Sequence, residues 1–254
     1  MRAIVLGCGA AGGVPSLSRG WGECDPNNPR NRRSRPSLLV QGGEGALLVD
    51  TSPDCRQQLL DADVNRLAAV LYTHAHADHL HGIDDLREIN RVSGTSLPIH
   101  ASAEVIEDIR RRFPYVVGSV KTGQEIYKPM LDLHELKGPV SLAGLAVTPF
   151  DQDHGYCRTV GFRFGALAYT TDAVNLPEES FATLAGVDTW IVGCLSYNPH
   201  PTHAHLDRVL EWISRVAPRR AILTHMTPSM DYQTLCNRLP SHIRPAYDGM
   251  VIDQ

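Results

Sequence analysis

The sequence holds no apolar run approaching the ~18 residues that a membrane-spanning helix requires, so no span is expected. It also lacks any long block of like charge, and its net charge is only −4. That argues against a coat for long nucleic acid and against a membrane-surface protein. Cysteine is scattered: Cys8, Cys24, Cys55, Cys157, Cys194 and Cys236 form no C-x-x-C pair. They read as free thiols of a reducing compartment, so a cytoplasmic setting is expected. The apolar stretch near the start is too short for a secretion signal and breaks at once into glycines. No linker or internal repeat divides the chain, so residues 1–254 are read as one domain.

Also missing is the helix that the opening motif demands. Gly7, Gly9 and Gly12 are spaced as G-x-G-x-x-G, directly after apolar residues 3–6. In a dinucleotide-binding turn a helix follows at once, because its N-terminal amides hold the pyrophosphate. Residues 13–36 are instead full of Gly, Pro, Asn and Arg, with no helical period. The dinucleotide reading is rejected. The glycines are expected to let backbone pass close to something else.

Along the rest of the chain, strands are expected at 37–40 and 46–49 as a hairpin, and then at 68–72, 98–101, 145–150, 159–164, 166–170, 189–194, 221–223 and in the tail. Helices are expected near 53–62, 83–91, 103–112, 177–184, 206–216 and 229–239. Residues 113–144 show no clear period and read as irregular or hairpin-like. Tight turns early and strand–helix alternation later, in both halves, fit a layered α/β fold with mixed sheets.

What the chain has in abundance is histidine, 12 in all, and they cluster. His74-Ala75-His76-Ala77-Asp78-His79 packs four potential ligands into six residues at the end of a strand. Imidazole and carboxylate together suit zinc, manganese or iron. Alternate residues of an extended turn point one way, so His74 and His76 can share one metal, and Asp78 and His79 can serve a second. Further ligands must come from elsewhere. His154, Asp172 and His225 each sit just past another expected strand, at the carboxyl end where open α/β sheets place their sites.

HAHADH followed by single His, Asp and His at these intervals resembles the metallo-β-lactamase fold superfamily over essentially the whole chain. The resemblance implies an αβ/βα four-layer sandwich: two mixed β-sheets face to face, flanked by helices, with a dinuclear site at one edge. It implies that His74, His76 and His154 bind one divalent ion (zinc or manganese, with iron admitted). Asp78, His79 and His225 would bind the other, and Asp172 would bridge them. Two such ions about 3.5–4 Å apart lower the pKa of a shared water and neutralise charge on the substrate. Asp50, in LLVDTSPD, matches the strand-end Asp of the family and has two readings: orienting a ligand histidine, or capping the helix that begins near Pro53.

Two more stretches resemble the branch of ribonuclease Z and the phosphonate-pathway phosphodiesterase PhnP. One is GCGAAGGVP, a Gly-rich turn expected to line the site. The other is Thr202-His203-Ala204-His205-Leu206, where the branch carries a histidine thought to protonate the leaving group. His203 aligns best and His205 is the runner-up, and a helix-capping pair is the plainer alternative. Arg30, Arg32, Arg33 and Arg35 resemble the PhnP-like group, with Arg32 and Arg33 as candidate phosphate contacts. A solvated basic loop is the alternative there. The chain departs from PhnP at a second, structural zinc site: only Cys24 of its cysteine cluster is present, and Pro228 stands at its late histidine position. No structural zinc is expected. No long basic arm for tRNA is found either.

The expected activity is therefore a metal-dependent phosphodiesterase on small cyclic phosphates or nucleotide phosphodiesters. Hydrolysis of a thioester or lactone, and a biosynthetic protein like PqqB, are the alternatives. The family often dimerises, so a homodimer is carried as an expectation.

Overall fold

Leu38, Leu39 and Val40 are all fully buried, although successive strand residues point to opposite faces of a sheet. The sheet they belong to must therefore be covered on both sides. A computed structural model describing residues 1–254 shows how. The first half runs β1 (Arg2–Gly7), β2 (Ser37–Gly42), β3 (Gly45–Val49), α1 (Cys55–Asp61), β4 (Ala69–Leu71), the single turn α2 (Ala77–Leu80), α3 (Leu86–Ser93), β5 (Leu97–Ala101), α4 (Ala103–Arg112) and β6 (Leu131–Glu135). The second half runs β7 (Val140–Leu142), β8 (Leu145–Asp153), β9 (Arg158–Phe164), β10 (Leu167–Thr170), α5 (Glu178–Leu184), β11 (Thr189–Gly193), α6 (Leu206–Val216), β12 (Arg220–Thr224), α7 (Tyr232–Arg238), β13 (Ile243–Pro245) and β14 (Met250–Asp253).

The strands form two seven-stranded sheets, ordered β14-β1-β2-β3-β4-β5-β6 and β13-β12-β11-β10-β9-β8-β7. Each is antiparallel at one end and parallel at the other. Leu38, Val40, Leu47 and Val49 join Phe162, Phe164, Ile191 and Leu223 in the larger apolar cluster. Leu39, Leu48, Val70 and Ile99 face the other way, onto Leu59 of α1, Leu86 and Ile89 of α3 and Ile106 and Ile109 of α4. Helices α5, α6 and α7 add Leu184, Val209, Trp212 and Leu235 to the larger cluster. The molecule is thus the four-layer sandwich of mixed sheets and flanking helices that the sequence implied.

Strand ends converge because the parallel strands are in register. Thr170 lies opposite Val192, and Val192 opposite Leu223, so the residues following β10, β11 and β12 leave the sheet along one edge. Backbone bonds tie the two sheets together there. Val160 N–H of β9 donates to Thr73 O (2.9 Å), Met226 N–H donates to Cys8 O (2.9 Å), and Ala10 N–H donates to Met226 O (3.1 Å).

The opening glycines are explained by this crowding. A Cβ on Gly7 would lie 2.0 Å from Arg35 O, and one on Gly9 would lie 2.9 Å from Ser34 O. Gly9 N–H donates to that same Ser34 carbonyl at 2.8 Å. The motif is a close backbone approach, with no helix following before residue 55 except a three-residue 3-10 turn at Pro29–Asn31.

Three expectations are corrected. The 113–144 stretch is not a hairpin: β6 pairs in parallel with β5, and β7 pairs with β8 in the other sheet, so the chain crosses between sheets here. The short strand β13 went unread, because its central arginine and terminal proline mask the pattern. The helix expected from 229 begins at Tyr232, capped by Asp231, whose carboxylate accepts from Thr234 N–H. Residues 227–230 instead hold the neighbouring loop, as described below.

Candidate metal centre

The loop after β4 is extended through His76, then turns into α2. This bend separates His74 and His76 from Asp78 and His79. The residues expected from other strands arrive at the same place. Two groups of ligand atoms result, each within 4.8 Å of one another: His74, His76, His154 and Asp172, and Asp78, His79, Asp172 and His225. Asp172 belongs to both. Its Oδ2 faces His74 Nε2 (3.7 Å) and His154 Nε2 (3.6 Å). Its Oδ1 faces His79 Nε2 (3.2 Å) and His225 Nε2 (3.1 Å). Asp78 Oδ2 closes the second group, 3.4 Å from His79 Nε2 and 3.5 Å from His225 Nε2.

Two of these positions, and the neighbouring Asp50, hold a backbone that side chains rarely adopt. Asp50, Asp172 and His225 have φ of 64°, 51° and 57°. Each lies just past a strand of the sheet edge, where a sharp left-handed turn is needed to aim the side chain inward. Strain of this kind persists only where the surrounding structure holds it.

The outward-facing ring nitrogens of His154, His79 and His74 are tied down, whereas His225 Nδ1 is buried without a partner. His154 Nδ1–H donates to Thr202 O at 2.7 Å. His79 Nδ1–H donates to Asp50 Oδ2 at 2.6 Å. Asp50 also accepts from Thr73 N–H and from the Thr73 hydroxyl, both at 2.8 Å. With its only proton given to Asp50, Thr73 Oγ1 must accept from His74 Nδ1–H, 2.9 Å away. One buried carboxylate therefore orients a histidine in each group. The inward-facing atoms His74 Nε2, His79 Nε2 and His225 Nε2 are also buried without hydrogen-bond partners. Unpartnered buried nitrogens are costly, and here they converge on two carboxylates. A divalent cation is the partner that this donor set accepts.

The electrostatics agree. Burial works against charge on Asp172 and Asp78, yet the surrounding histidines hold both well below the usual carboxylate range. Burial pulls His79 down, but Asp172, Asp78 and Asp50 raise it well above an ordinary imidazole. Burial and His79 push His74 down, and burial does the same to His154. The cluster carries concentrated negative charge, which a bound cation would neutralise in place of the His79 proton.

Asp50 does not cap α1, where Asp54 is the preceding residue. It is a positioning residue. Asp50→Asn keeps the shape but reverses the hydrogen-bond demand on Thr73 and His79. We expect metal affinity to fall about 10- to 100-fold, measured by competition with a chelator, with the thermal transition of the metal-free protein still cooperative.

His203 lies outside both ligand groups but against them. Its Nδ1 is 3.8 Å from Asp172 Oδ2, and its ring stacks on His225 with centroids 4.9 Å apart. Burial and His225 push it down to about 3, with Asp172 opposing. His205 forms the N-cap of α6 and belongs to neither ligand group.

The expectation that Arg33 contacts phosphate is corrected. Its side chain is buried and donates to Met230 O (2.7 Å), Asn31 Oδ1 (3.3 Å) and Thr227 O (3.5 Å). Asn31 in turn donates to Asp231 (2.7 Å). This network fastens the Arg-rich loop to the segment following His225. Arg33→Met leaves two carbonyls unpaired. The expected cost is about 1.5–3 kcal/mol, read as a Tm lowered by roughly 3–10 °C, with turnover at low temperature retained. Arg32 is exposed and lies over the Trp21 ring at 5.1 Å. With Gly12 and Gly13 it lines a groove of about 940 Å³ between the Gly-rich loop and α1, whose walls include none of the seven ligand residues. The Gly-rich loop meets the centre through the pairing of Cys8, Gly9 and Ala10 with Met226, next to His225. Where PhnP is expected to carry its structural zinc, Glu23 N–H donates to Pro228 O at 2.8 Å.

Sequence reasoning missed Thr73, Thr202 and Arg112. Arg112 of α4 donates to Ala75 O (2.7 Å), bracing the metal loop. Thr202 and Ala75 act through backbone carbonyls, which carry no residue signature.

Residues 46–226 match the family described as "Beta-lactamase superfamily domain". The chain belongs to this superfamily. Its fold is that of the metallo-β-lactamases, on the PhnP-like branch: a solved diphosphatase of the PhnP family is 30% identical, with a TM-score of 0.91 over 100% of this chain and 97% of that one. The octanoyltransferase of Porphyromonas gingivalis is 33% identical over 261 residues, covering 100% of this chain but 52% of that protein. The chain thus spans about half the length of that relative. Coenzyme PQQ synthesis protein B of Methylobacterium nodulans is 34% identical over 223 residues, covering 74% of this chain and 71% of that protein. Zinc-bound PqqB of Methylobacterium extorquens shares the fold at a TM-score of 0.76 and 20% identity. Superfamily membership and the paired His/Asp groups support a metal-dependent hydrolase. No helix is long and apolar enough to cross a membrane.

Proposed function

We propose that the chain is a phosphodiesterase acting on small cyclic phosphates or nucleotide phosphodiesters, with two divalent ions, zinc or manganese, per chain. One observation carries the reading: His203, which belongs to neither candidate ligand group, stands beside the carboxylate shared by both. The likeness to a PhnP-family diphosphatase supports phosphorus chemistry.

His74, His76 and His154 would hold one ion, Asp78, His79 and His225 the other, and Asp172 would serve both through its separate oxygens. Bound there, the pair supplies Lewis acidity and makes hydroxide available at neutral pH. The chain's own residues do the rest. Asp50 fixes the tautomers of His79 and, through Thr73, of His74, keeping their Nε2 lone pairs inward. Thr202 O does this for His154. His203, neutral while the site is empty of substrate, gains a proton when a phosphate anion adds negative charge beside it. It then donates that proton to the leaving-group oxygen, which as an alkoxide leaves poorly on its own.

The experiment follows phosphorus NMR of ribose 1,2-cyclic phosphate 5-phosphate, 2′,3′-cyclic nucleotides and a linear dinucleotide. The protein is reconstituted with manganese or zinc, and His76→Ala is the control. Loss of a cyclic signal only in the active sample supports the reading. Persistence of every signal with metal bound overturns it. The second reading, hydrolysis of an acyl ester or thioester, draws on the match of this chain to 52% of an octanoyltransferase. An octanoyl thioester in the same experiment tests it.

A further inference from the structure

Three tyrosines stand well out of the surface: Tyr115 (43% exposed), Tyr127 (68%) and Tyr156 (89%). Two of them have partners. Tyr115 donates to Asp84 at 2.7 Å and packs edge-on against Phe113. Tyr127 donates to Glu125 at 2.6 Å. Tyr156 has neither a hydrogen bond to its hydroxyl nor a ring neighbour.

Its place in the fold is beside the metal centre. Tyr156 is two residues beyond the ligand His154, in the turn joining β8 to β9, so its Cα lies within about 7 Å of that ligand's Cα. Val174 N–H, two residues past Asp172, donates to Asp153 O at 2.8 Å, which holds the start of the turn beside the centre. The turn itself is held firmly. His154 N–H donates to Cys157 O (3.0 Å), Tyr156 N–H to His154 O (3.1 Å) and Gly155 N–H to Asp153 Oδ1 (2.8 Å). Gly155 has φ +82°, and a Cβ there would come within 2.7 Å of Pro201 O, on the loop that carries His203. A bare aromatic face thus stands on a fixed base at the rim of the site. An aromatic face in water attracts another planar ring, and such stacking tolerates any base.

We propose that Tyr156 is a specificity-determining residue that stacks on the planar, non-reacting part of the substrate, a nucleobase or similar aromatic ring. The chemistry of the ligand rests on the phosphodiesterase reading above. The position of Tyr156 does not.

The test is calorimetric binding of adenosine 5′-monophosphate and of ribose 5-phosphate to metal-loaded protein, with Tyr156→Ala, Tyr156→Phe and Tyr156→Trp. Wild type should bind the nucleotide more tightly than the sugar phosphate. The alanine variant should lose about 5- to 100-fold of the nucleotide affinity and leave the sugar phosphate unchanged. Phenylalanine and tryptophan should retain the preference. The exposed ring predicts an unchanged Tm for all three. The proposal is overturned if wild type shows no preference, if alanine weakens both ligands equally, or if it weakens neither. Turnover of ribose 1,2-cyclic phosphate 5-phosphate, which has no base, tests the phosphodiesterase reading separately. Absent turnover with an intact nucleotide preference removes that reading and leaves the stacking site standing.

Discussion

Asp172→Ala should lower turnover by at least about 10³-fold and bring bound metal below that of the wild-type protein under the same loading. The reason lies in how the carboxylate is shared. Oδ1 stands 3.1–3.2 Å from two imidazoles and Oδ2 stands 3.6–3.7 Å from two others. No other residue belongs to both groups, so one substitution weakens both. Asp172→Asn is the informative companion. It keeps the volume and the left-handed backbone that asparagine tolerates, but removes the charge that the histidines hold in place. Metal content by plasma mass spectrometry and phosphate release should fall together in both variants. An asparagine variant with full metal and full activity would show that the shared carboxylate is not needed for either.

His203→Ala should separate substrates by their leaving groups. On an alkyl phosphodiester the loss should be about 10²- to 10⁴-fold, the range of a positioned general acid. On bis(p-nitrophenyl) phosphate, whose leaving phenolate needs no proton, the loss should be small. The pH dependence follows from the same role. The acid works only while protonated, so with the alkyl substrate kcat should fall as pH rises through the His203 pKa in the complex. That limb should vanish in the alanine variant. His205→Ala, at the N-cap of α6, should leave both substrates near wild type. An equal loss for alkyl and aryl substrates would mean that His203 shapes the site rather than delivering a proton.

Much of this site was legible without coordinates because metal ligands are chemically rare and were dense in one loop. Four of the seven candidate ligand residues stand within six positions, and a bend into α2 suffices to split them into two groups. The strand-end residues His154, Asp172 and His225 were legible from the carboxyl-end rule alone. The Arg-rich loop shows the opposite case. A guanidinium reads the same in sequence whether it meets phosphate in solvent or carbonyls in the interior, and burial of Arg33 against Met230 O and Thr227 O appears only once residues some two hundred positions apart are brought together.

The sequence by itself determined the layered α/β class and the cluster of candidate ligands, because apolar periodicity and ligand chemistry are local properties of the chain; the candidate proton donors came from the resemblance to the family. Tertiary structure alone decided three things. It placed His203, not His205, beside Asp172, it made Asp50 the common anchor of His79 and His74, and it turned Arg33 into a strut. Each depends on distances across the two sheets, which are set by packing of both faces and leave no trace in the spacing of residues along the chain.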